Sequence, residues 1–383
     1  MHSVLLLGCG KIGRAIARLL AASGDYRVCV ADADQKAFGH LAEQANIETL
    51  LLDATDSDKL SHAVREHDSI VSALSYRFNP TVAQLALDSG KSYFDLTEDI
   101  QTTRQVRQIA AKAAPGQIFM PQCGLAPGFI SILAYHLTRS FAALDTIHMR
   151  VGALPKFPSS ELRYNLTWST DGLINEYCNP CEAIHQGKQI EVLPLEGLEH
   201  FSLEGVQYEA FNTSGGLGTL CETLEGQVRE LNYRTIRYVG HHDLAVFLVN
   251  ELRLGQRREV LKDVLEKAVP VTYQDVVVIF CTVTGWQWDQ LVQITDARKI
   301  YRTKVDGHPL SAIQITTAAG LCAALDLHTA GKLPSSGFVK QEDIDFDEFI
   351  KNRFGGYYDS EGPVNVTRII GHPEGESDDS SDT

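Results

Sequence analysis

Short apolar runs alternate with longer amphipathic stretches through the first third of the chain. In each amphipathic stretch the apolar residues recur every three or four positions, as is typical of a helix that follows a strand. This alternation predicts βαβ units, and therefore a parallel sheet with helices on both faces. The predicted strands are Ser3–Leu7, Arg27–Ala31, Glu48–Leu52, Ser69–Ala73, Ser92–Leu96 and Gln117–Met120, and the predicted helices include Ile12–Ala22, Leu85–Ser89 and Thr102–Ala114.

The pattern changes after Pro127. Alternating apolar and polar positions, with helical stretches between them, predict an α+β domain with a mostly antiparallel sheet and helices to one side. A late helix over Ala312–Thr329 is rich in small residues, so we expect it to return and pack closely against the first domain. The predicted strands of this second part are Thr146–Gly152, Leu162–Trp168, Val206–Phe211, Thr235–Tyr238, Val276–Thr284 and Leu291–Thr295.

The fold class that these patterns predict is α/β, with a doubly wound parallel sheet followed by an α+β domain. The predicted segments are 1–123 for the first domain, 124–310 for the second, 311–335 for the returning helix, 336–371 for a C-terminal extension and 372–383 for an acidic tail. The tail carries five acidic residues and no Lys or Arg, so we expect it to be disordered.

The net charge of the chain limits the kinds of binding partner that are expected. The chain carries 49 acidic and 34 basic residues, a net charge of -15, which argues against electrostatic binding of nucleic acid or of an anionic membrane. No stretch approaches the ~20 apolar residues needed to cross a bilayer. The apolar run Val4–Leu7 is too short for a signal peptide, so we expect a cytoplasmic protein whose eight cysteines stay reduced.

One cysteine pair has the spacing of a functional motif. Cys178 and Cys181 form C-x-x-C, with His185 four residues later, a spacing that suits a redox pair or half of a zinc site. No second C-x-x-C follows. The favoured interpretation is therefore two ordinary thiols in a turn around Asn179-Pro180, and no metal site is predicted.

Gly8-Cys9-Gly10-Lys11-Ile12-Gly13 is a G-x-G-x-x-G between a predicted strand and an amphipathic helix. The first Gly allows a tight turn, the second lets the backbone approach a pyrophosphate, and the third lets helix and strand pack closely. The N–H groups of the helix N-terminus favour the phosphates, so Lys11 and Ile12 are placed beside the cofactor. The motif predicts a Rossmann domain that binds a dinucleotide.

Asp32 stands at the end of the second predicted strand, 19 residues after Gly13, where an acid binds the ribose hydroxyls of a dinucleotide. A 2′-phosphate about 4 Å from its carboxylate would meet a repulsion on the order of 4 kcal/mol at an effective dielectric constant near 20. Only Lys36 is near enough in sequence to soften that repulsion. We therefore expect NAD as the cofactor, with NADP less favoured.

Other candidate residues end the remaining strands, at the carboxyl edge where ligands bind in open α/β sheets. Asp53 follows the third strand and either contacts the adenine or serves as a turn or helix-capping acid. Asp95 ends the fifth strand, with Glu98 just beyond it. The predicted cofactor contacts at this edge are Ser72, Ala73 and Leu74 after the fourth strand, and Gly124, Leu125 and Pro127 in the stiff Cys123–Gly128 loop after the sixth.

Two motifs of the second domain carry further candidates. The loop Thr213-Ser214-Gly215-Gly216 offers backbone N–H groups suited to a carboxylate. Arg237–His242 ends a strand with a cation and two imidazoles. Either His residue could also be an ordinary surface side chain.

Taken together, these residues make the chain similar to saccharopine dehydrogenases and, more closely, to lysine 6-dehydrogenases. The resemblance spans residues 4 to 331 and is most specific in GLAPG and in the combination of TSGG with RYVGH. The segments that carry it are the glycine loop, Tyr76–Asn79 with Thr81–Gly90, the Asp95 strand end, Gly124–Gly128, Glu209–Gly216 and Thr235–His241. It implies that the α+β domain interrupts the Rossmann domain, binds the substrate and makes the contact of a homodimer. It also implies that a pyridine nucleotide oxidises the C–N bond at the ε-nitrogen of a lysine-type substrate.

Such a reaction needs the lone pair of the nitrogen, so an ammonium group must first lose its proton to a base. We expect His241 or Asp95 to be that base, since each ends a strand near the predicted cleft. The imine would then hydrolyse to a semialdehyde. The substrate carboxylate would be bound by Arg163 or Arg237 with Ser214 and Gly215, and Cys123 is placed beside the substrate.

Several functions stay open at this point. Fungal saccharopine reductases tend to have Asp where this chain has Ala126, and lysine 6-dehydrogenases tend to have Asp-Leu in place of Gln122-Cys123. Saccharopine and L-lysine are therefore both candidate substrates. One alternative is an imine reductase working in the synthetic direction, as in carboxynorspermidine-type polyamine synthesis. Another is a catalytically silent sensor that binds NAD.

Overall fold

The computed structural model describes residues 1–39, 41, 44–359 and 364–371, and the predicted disordered tail 372–383 lies outside them. The first domain is a seven-stranded sheet, all parallel, in the order β3-β2-β1-β4-β5-β6-β17. Its strands are β1 His2–Leu7, β2 Tyr26–Asp32, β3 Ile47–Leu51, β4 Ser69–Ser72, β5 Ser92–Asp95, β6 Ile118–Met120 and, much later in the chain, β17 Gly337–Phe338. The first six match the predicted strands within two residues at each end, which confirms the doubly wound fold.

Helices cover both faces of this sheet because successive residues of each strand point to opposite sides. In β1, Val4 and Leu6 are buried in the cluster beneath the first helix, whereas Leu5 and Leu7 are buried in the cluster on the other face. The helices are α1 Lys11–Ala22, α2 Ser57–Arg65, α3 Asn79–Asp88 and α4 Ile100–Ala110. Burial on both sides explains why these strands are continuous apolar runs.

The second domain is built on a nine-stranded mixed sheet. Seven of its strands follow one another in the order β10-β11-β12-β7-β13-β14-β18. The strand β8 pairs with both β12 and β9. The neighbours β7 and β12 are parallel, and the other neighbouring strands are antiparallel. The strands are β7 Ala143–Pro155, β8 Cys181–His185, β9 Lys188–Val192, β10 Glu199–Leu203, β11 Val206–Asn212, β12 Glu230–Tyr238, β13 Asp275–Gln287, β14 Gln290–Tyr301 and β18 Val364–Gly371; a small hairpin adds β15 Thr303–Val305 and β16 His308–Leu310. The helices are α5 Phe129–Thr138, α6 Thr170–Cys178, α7 Leu220–Leu224, α8 His241–Val246, α9 Arg258–Ala268, α10 Ala312–Thr329 and α11 Phe346–Lys351.

The predicted strand Leu162–Trp168 is wrong. Among its residues only Leu166 makes a bridge, an isolated one to Val271. Tyr164 and Leu166 are buried against α6 and α9 in a separate apolar cluster, so the alternation reflects packing on a helical cluster and not pairing in a sheet. The hairpin β8–β9 and the strand β10 were not predicted, because their side chains are mostly half-buried or exposed.

The late helix α10 spans the predicted residues and packs against both α1 and β13. Ser311 and Gln314 form a capping box at its N-terminus, and the Asp275 carboxylate of β13 accepts the next two backbone N–H groups. A Cβ on Gly320 would lie 2.8 Å from the carbonyl oxygen of Cys123, so a small residue is required where the helix crosses this loop. The helix therefore returns to the first domain as predicted.

The C-terminal extension contributes to both sheets, since β17 pairs with β6 and β18 pairs with β14. Between them, Gln341 Nε2 donates to the Pro121 carbonyl oxygen at 2.9 Å, and the buried Glu342 carboxylate accepts from the hydroxyls of Thr219 and Thr223. This segment ties the loop after β6 to the second domain. Along the described part of the chain, no helix has the length and apolar character needed to cross a membrane.

Candidate functional site

The glycine loop joins β1 to α1 with the geometry of a phosphate-binding turn. Gly8 has φ +99°, and its N–H donates to the Ala31 carbonyl oxygen. A Cβ on Gly13 would lie 1.9 Å from the Gly8 carbonyl oxygen, so helix and strand meet here at backbone distance. A Cβ on Gly10 would meet nothing within 4 Å, which leaves open space where the N-terminus of α1 points. This open cradle at a helix N-terminus fits a pyrophosphate.

Asp32 lies beside this loop at the end of β2. Its Oδ2 accepts from the Cys9 N–H at 2.7 Å and its Oδ1 from the Asp34 N–H at 2.9 Å, so the carboxylate fixes the glycine loop, and its contact with a ribose stays a prediction. Arg14 of α1 donates to the Ala37 carbonyl oxygen at 3.4 Å, which places a cation near the same turn. Lys36 is therefore not the only cation near enough to soften the repulsion of a 2′-phosphate.

The residues that end β4 pack directly on the glycine loop. A Cβ on Gly8 would be 2.8 Å from the Ala73 carbonyl oxygen and 3.3 Å from Leu74 N. Ser72 is buried and its Oγ donates to Asn79 Oδ1 at 2.8 Å, so it stabilises the start of α3 from below. The structure thus places the three residues predicted at this edge beside the loop, with the Ser72 hydroxyl already engaged.

Asp95 is fully buried beneath the same edge. Its carboxylate accepts from Tyr93 Oη at 2.8 Å, from Thr97 N at 2.9 Å and from Gln122 N at 3.1 Å. Burial raises the pKa of Asp95 to about 6, and these hydrogen bonds oppose the shift. A base role for Asp95 stays a prediction. The geometry favours a positioning role, because the carboxylate holds the loops after β5 and β6.

The Gly124–Gly128 loop is compact and largely buried. Cys123 Sγ donates to the Met120 carbonyl oxygen at 3.0 Å and is 1% exposed, which leaves no open face of the thiol for a substrate. Gly124 and Gly128 form a bridge, and Leu125 and Pro127 are buried. The backbone of this loop, and not the Cys123 side chain, borders the cofactor edge.

Asp53 is exposed, and its carboxylate accepts from both the N–H and the hydroxyl of Thr55 at 2.8 Å. This is the geometry of an Asx turn. Of the two alternatives, the geometry favours the turn acid over an adenine contact. The helix α2 is capped by a different residue, Asp56.

The Thr213–Gly216 loop faces the first domain across a cleft. The cleft is small, with space of about 10 Å³, and its lining residues are Ile100, Glu182, Thr213, Gly215, Gly216, Leu217, Gly218 and Tyr233. A Cβ on Gly215 would lie 2.9 Å from the carbonyl oxygen of Glu98, so the loop touches the segment after β5. Ser214 N donates to the Glu176 carbonyl oxygen at 3.1 Å, so this N–H is taken and is not open to a carboxylate.

Arg237 is 2% exposed and begins a chain of hydrogen bonds behind that loop. Its Nε donates to Tyr177 Oη at 2.8 Å, and Tyr177 Oη lies 2.9 Å from His241 Nε2. His241 Nδ1 lies 2.7 Å from the Leu162 carbonyl oxygen, which can only accept, so Nδ1 carries the ring proton. Tyr177 therefore donates to Nε2, and both ring nitrogens are engaged.

Burial, together with the nearby Arg237 guanidinium, lowers the pKa of His241 to about 3. The ring is neutral at physiological pH, and its lone pair already accepts from Tyr177. The predicted base role of His241 stays a prediction, and the geometry favours a role in positioning Tyr177 and Arg237.

This lowered pKa predicts a pH dependence of stability. The unfolded state takes up a proton on His241 below about pH 6.5 and the folded state does not, so stability is lost as pH falls from there toward 3. Between pH 7 and pH 5 the loss should be about 2 kcal/mol. In His241→Asn, whose amide can keep the bond to Leu162, that share of the pH dependence should disappear in urea unfolding at the two pH values. The exposed His62→Asn is the control, and an unchanged pH dependence in His241→Asn would contradict the expectation.

Two carboxylates lie at the entrance to this chain of hydrogen bonds. Glu176 Oε2 is 3.5 Å from Arg237 Nη2. Burial and the nearby Glu98 raise the pKa of Glu176 to about 7, although Arg237 opposes the shift. Burial also raises the pKa of Glu98. The cluster joins the segment after β5, the helix α6 and the strand β12.

Arg163 and Glu209 organise the end of β12. Arg163 is exposed, with φ +53°, and its Nη1 donates to the Val239 carbonyl oxygen at 2.8 Å. The buried Glu209 carboxylate accepts from Gly240 N at 2.8 Å and from His242 N, which fixes the turn into α8. Arg163 therefore lies on the surface at the outer end of the strand that carries Arg237.

The C-x-x-C pair has the geometry of ordinary thiols. Cys178 and Cys181 are both unbridged, and burial raises the pKa of Cys181 to about 12. His185 is exposed and lies 3.9 Å from a Glu230 oxygen. Over residues 1–39, 41, 44–359 and 364–371, no group of three or more His, Cys, Asp and Glu side chains is arranged to hold a metal ion.

Glu176, Tyr177 and Glu342 were not found from the sequence. Glu176 and Tyr177 immediately precede Cys178 on α6. Nothing in their spacing along the sequence distinguishes them from surface residues. Their importance follows from Ser214, in a loop, and Arg237, on β12, which both contact α6 from far along the chain. Glu209, in contrast, lies within the segment EAFNTSGG that carried the resemblance.

Comparison with known proteins agrees with this architecture. Residues 4–120 match the family description "Saccharopine dehydrogenase NADP binding domain", and residues 124–356 match "Saccharopine dehydrogenase C-terminal domain". The solved structure of apo saccharopine dehydrogenase (L-Glu forming) from Saccharomyces cerevisiae superposes with a TM-score of 0.76 at 18% identity, covering 97% of this chain and 100% of that one. At that identity the superposition establishes the fold.

Curated relatives also match the chain, at low sequence identity. Saccharopine dehydrogenase [NADP(+), L-glutamate-forming] of Saccharomyces cerevisiae is 23% identical over 317 residues, which are 79% of this chain and 69% of the yeast protein. Mitochondrial alpha-aminoadipic semialdehyde synthase of Bos taurus is 22% identical over 360 residues, but the chain spans only 37% of its length. The prediction of a nicotinamide-dependent oxidoreductase is confirmed by these matches. The chain belongs to the saccharopine dehydrogenase family.

Proposed function

We propose that this protein is a dehydrogenase that oxidises the C–N bond at the ε-nitrogen of a lysine-type substrate, saccharopine or L-lysine. The observation that carries the proposal is the position of the polar cluster of Glu98, Glu176 and Arg237. It lies where the second domain meets the carboxyl edge of the parallel sheet, the edge that also holds the glycine loop. A dinucleotide held by that loop extends along this edge toward the cluster.

The residues that would hold the cofactor are those of the glycine loop, Asp32 and the Gly124–Gly128 loop. When bound, a nicotinamide ring accepts a hydride from the substrate carbon. The chain's own residues must then present a neutral amine, exclude bulk water and bind the substrate carboxylate. Arg163 is the better candidate for the carboxylate, because the Arg237 guanidinium already contacts Tyr177, Thr235 and Glu176.

The function is tested by the appearance of reduced nicotinamide when purified protein is given NAD or NADP with saccharopine and L-lysine in separate reactions. Release of glutamate from saccharopine, or of ammonia from lysine, identifies the bond that is broken. Oxidation of reduced cofactor with an aldehyde and an amine, and no oxidative turnover, would favour the imine reductase. Binding of cofactor with no turnover in either direction would favour the sensor.

We further propose a preference for NAD, which rests on the Asp32 carboxylate at the ribose position. The NADP in the family description and in the names of the relatives argues against it, and Arg14 near the same turn offers a cation to a 2′-phosphate. The chain is also proposed to form a homodimer, on the family resemblance alone.

The cofactor preference leads to a specific expectation for Asp32→Ser. Removing the carboxylate removes its repulsion of a 2′-phosphate, so the NADPH:NADH affinity ratio should rise on the order of tenfold to a hundredfold. The ratio is measured by fluorescence titration of the two reduced cofactors. Asp34→Ser, which removes the acid two residues along, should leave the ratio within about threefold. Tighter binding of NADPH than of NADH by the unmodified protein would overturn the proposed preference.

A further inference from the structure

The helix α6 brings Glu176 close to Glu98, which follows β5 of the first domain. The end of that helix is bonded to the Thr213–Gly216 loop, since Ser214 N donates to the Glu176 carbonyl oxygen at 3.1 Å and Ser214 Oγ to that of Asn175 at 3.0 Å. The same loop touches Glu98, three residues after β5. Through this loop, the end of α6 that carries Glu176 is held beside the segment after β5, at the edge where a nicotinamide ring would lie.

One oxygen of this carboxylate has no hydrogen-bond partner. Glu176 Oε2 is buried and accepts no hydrogen bond anywhere in the described ranges, and its side chain is 14% exposed. Leaving a buried acceptor unsatisfied costs roughly 1–3 kcal/mol. A buried acceptor without a partner indicates a place for a donor from a ligand, and an ammonium group is a strong N–H donor.

Arg237 fixes the direction in which Glu176 points. Its other contacts, Nε to Tyr177 and Nη1 to Thr235, hold the guanidinium in place and leave Nη2 3.5 Å from Glu176 Oε2. At that distance the cation attracts the carboxylate without closing a hydrogen bond. The carboxylate is thus oriented, but its acceptor capacity is not used up.

The surroundings of Glu176 hold it near the point of protonation. Burial and Glu98 raise its pKa to about 7, against the opposing effect of Arg237. A general base works best when its pKa is near the operating pH. The titratable groups that surround it are Glu98 after β5, Tyr164, Tyr177 on its own helix, Cys181 on β8, and Tyr233 and Arg237 on β12.

The two bases expected from the sequence have no comparable freedom. The Nε2 lone pair of His241 accepts from Tyr177 Oη, and the ring is buried behind Arg237. The Asp95 carboxylate accepts three hydrogen bonds from its own domain and is 0% exposed. Of the three acids and bases, only Glu176 has an oxygen left for a substrate proton.

We propose that Glu176 is the catalytic base that accepts the proton of the substrate ε-ammonium group, a step that rests on the proposed function. An N–H bond of the ammonium breaks and an O–H bond forms on the Glu176 carboxylate. The lone pair left on nitrogen then forms the C=N bond as the neighbouring carbon loses hydride to the nicotinamide ring. The carbon is oxidised, the nicotinamide is reduced, and Glu176 ends as a neutral carboxylic acid.

The test compares Glu176→Gln with the unmodified protein between pH 6 and pH 9. Turnover of the unmodified protein should fall as pH drops below about 7, because a protonated Glu176 cannot accept the ammonium proton. Glu176→Gln should lower kcat at least a hundredfold and abolish that acid limb, consistent with the usual contribution of a general base. The dissociation constant of the reduced cofactor should stay within about twofold. Glu176→Asp, which keeps a carboxylate, should recover part of the rate and the acid limb.

Glu199→Gln is the matched control, because Glu199 is also a half-buried carboxylate paired with arginines, on the sheet of the second domain. It should keep kcat within about twofold. If Glu176→Gln keeps the turnover and the acid limb while the unmodified protein turns over its amine, the assignment of Glu176 is wrong and the proposed function stands. If the unmodified protein turns over no amine in either direction, the proposed function fails and this step fails with it.

Discussion

Gly13→Ala should lower the affinity for the dinucleotide at least a hundredfold and destabilise the first domain by about 1–3 kcal/mol. The added Cβ would lie 1.9 Å from the Gly8 carbonyl oxygen and 3.7 Å from the Ala73 side chain. Both atoms belong to the glycine loop or the strand end beside it, and neither is the tip of a flexible side chain. The start of α1 must therefore move away from β1, and the N–H groups that face the phosphates move with it.

Gly10→Ala separates the loss of cofactor affinity from the loss of stability. A Cβ at Gly10 would meet no atom within 4 Å, and its φ of -70° suits any residue, so the fold should keep its stability within about 0.5 kcal/mol. The same methyl group would occupy space toward the pyrophosphate, so affinity should still fall about tenfold. Calorimetric titration with reduced cofactor and urea unfolding give the two quantities. Equal stability for Gly13→Ala and the unmodified protein would contradict the close contact of helix and strand.

Arg237→Met should destabilise the protein by about 3–5 kcal/mol at pH 8, because it removes one partner of a buried ion pair. The guanidinium donates to Tyr177 Oη, to Thr235 Oγ1 and to the Ile236 carbonyl oxygen, and it lies 5.0 Å from the Tyr164 ring. Methionine can replace the apolar contact with Tyr164 but none of the donors. Urea unfolding at pH 8 measures the loss.

The loss should shrink at pH 6, and the reason is Glu176. Without Arg237, the pKa of Glu176 rises above its present value of about 7, since the cation is the group that lowers it. A carboxyl whose folded-state pKa exceeds its unfolded value contributes stability at low pH that is lost as pH rises through the folded value. The variant therefore loses more stability than the unmodified protein between pH 6 and pH 8. Arg234→Met, which removes a partner of the more exposed Glu199, should cost about 1 kcal/mol with no such pH dependence, and equal losses for the two variants would contradict the expectation.

Local pattern was sufficient for the parallel domain. In β1 every second side chain is buried on one face and the intervening ones on the other, so the strand is a continuous apolar run bounded by Gly8. The glycine loop and Asp32 could be found because each part of that site lies within 25 residues of sequence and depends on backbone geometry that glycine permits. The helix α10 was predicted to the residue from its run of small residues, and in the structure Ser311 and Gln314 cap its start.

Local pattern was a poorer guide to segments that are buried by elements far away in the sequence. Leu162–Trp168 alternates like a strand, yet its residues pack on α6 and α9, because an apolar cluster selects the same alternation as a sheet does. In the hairpin β8–β9, Cys181, Ala183 and Ile184 of β8 are buried but β9 is exposed or half-buried, so the hairpin has no regular alternation that would reveal it. A strand and a segment packed on helices can show the same period, and the partner that distinguishes them is not contained in the local sequence.

The sequence by itself determined the doubly wound domain, the phosphate-binding loop and the family, because each is encoded in residues close together in the chain. Only the tertiary structure decided which strand-end side chains have a free atom. Positions at strand ends suggested that a ligand could contact Asp95, Cys123 and His241, but each of these side chains is buried and already hydrogen-bonded. From its position in the sequence Glu176 had no distinguishing feature, but Arg237 orients its carboxylate and Ser214 holds its backbone, 61 and 38 positions further along the chain. Whether an atom is free to contact a ligand depends on its surroundings in space, and these are set by contacts between segments far apart in sequence.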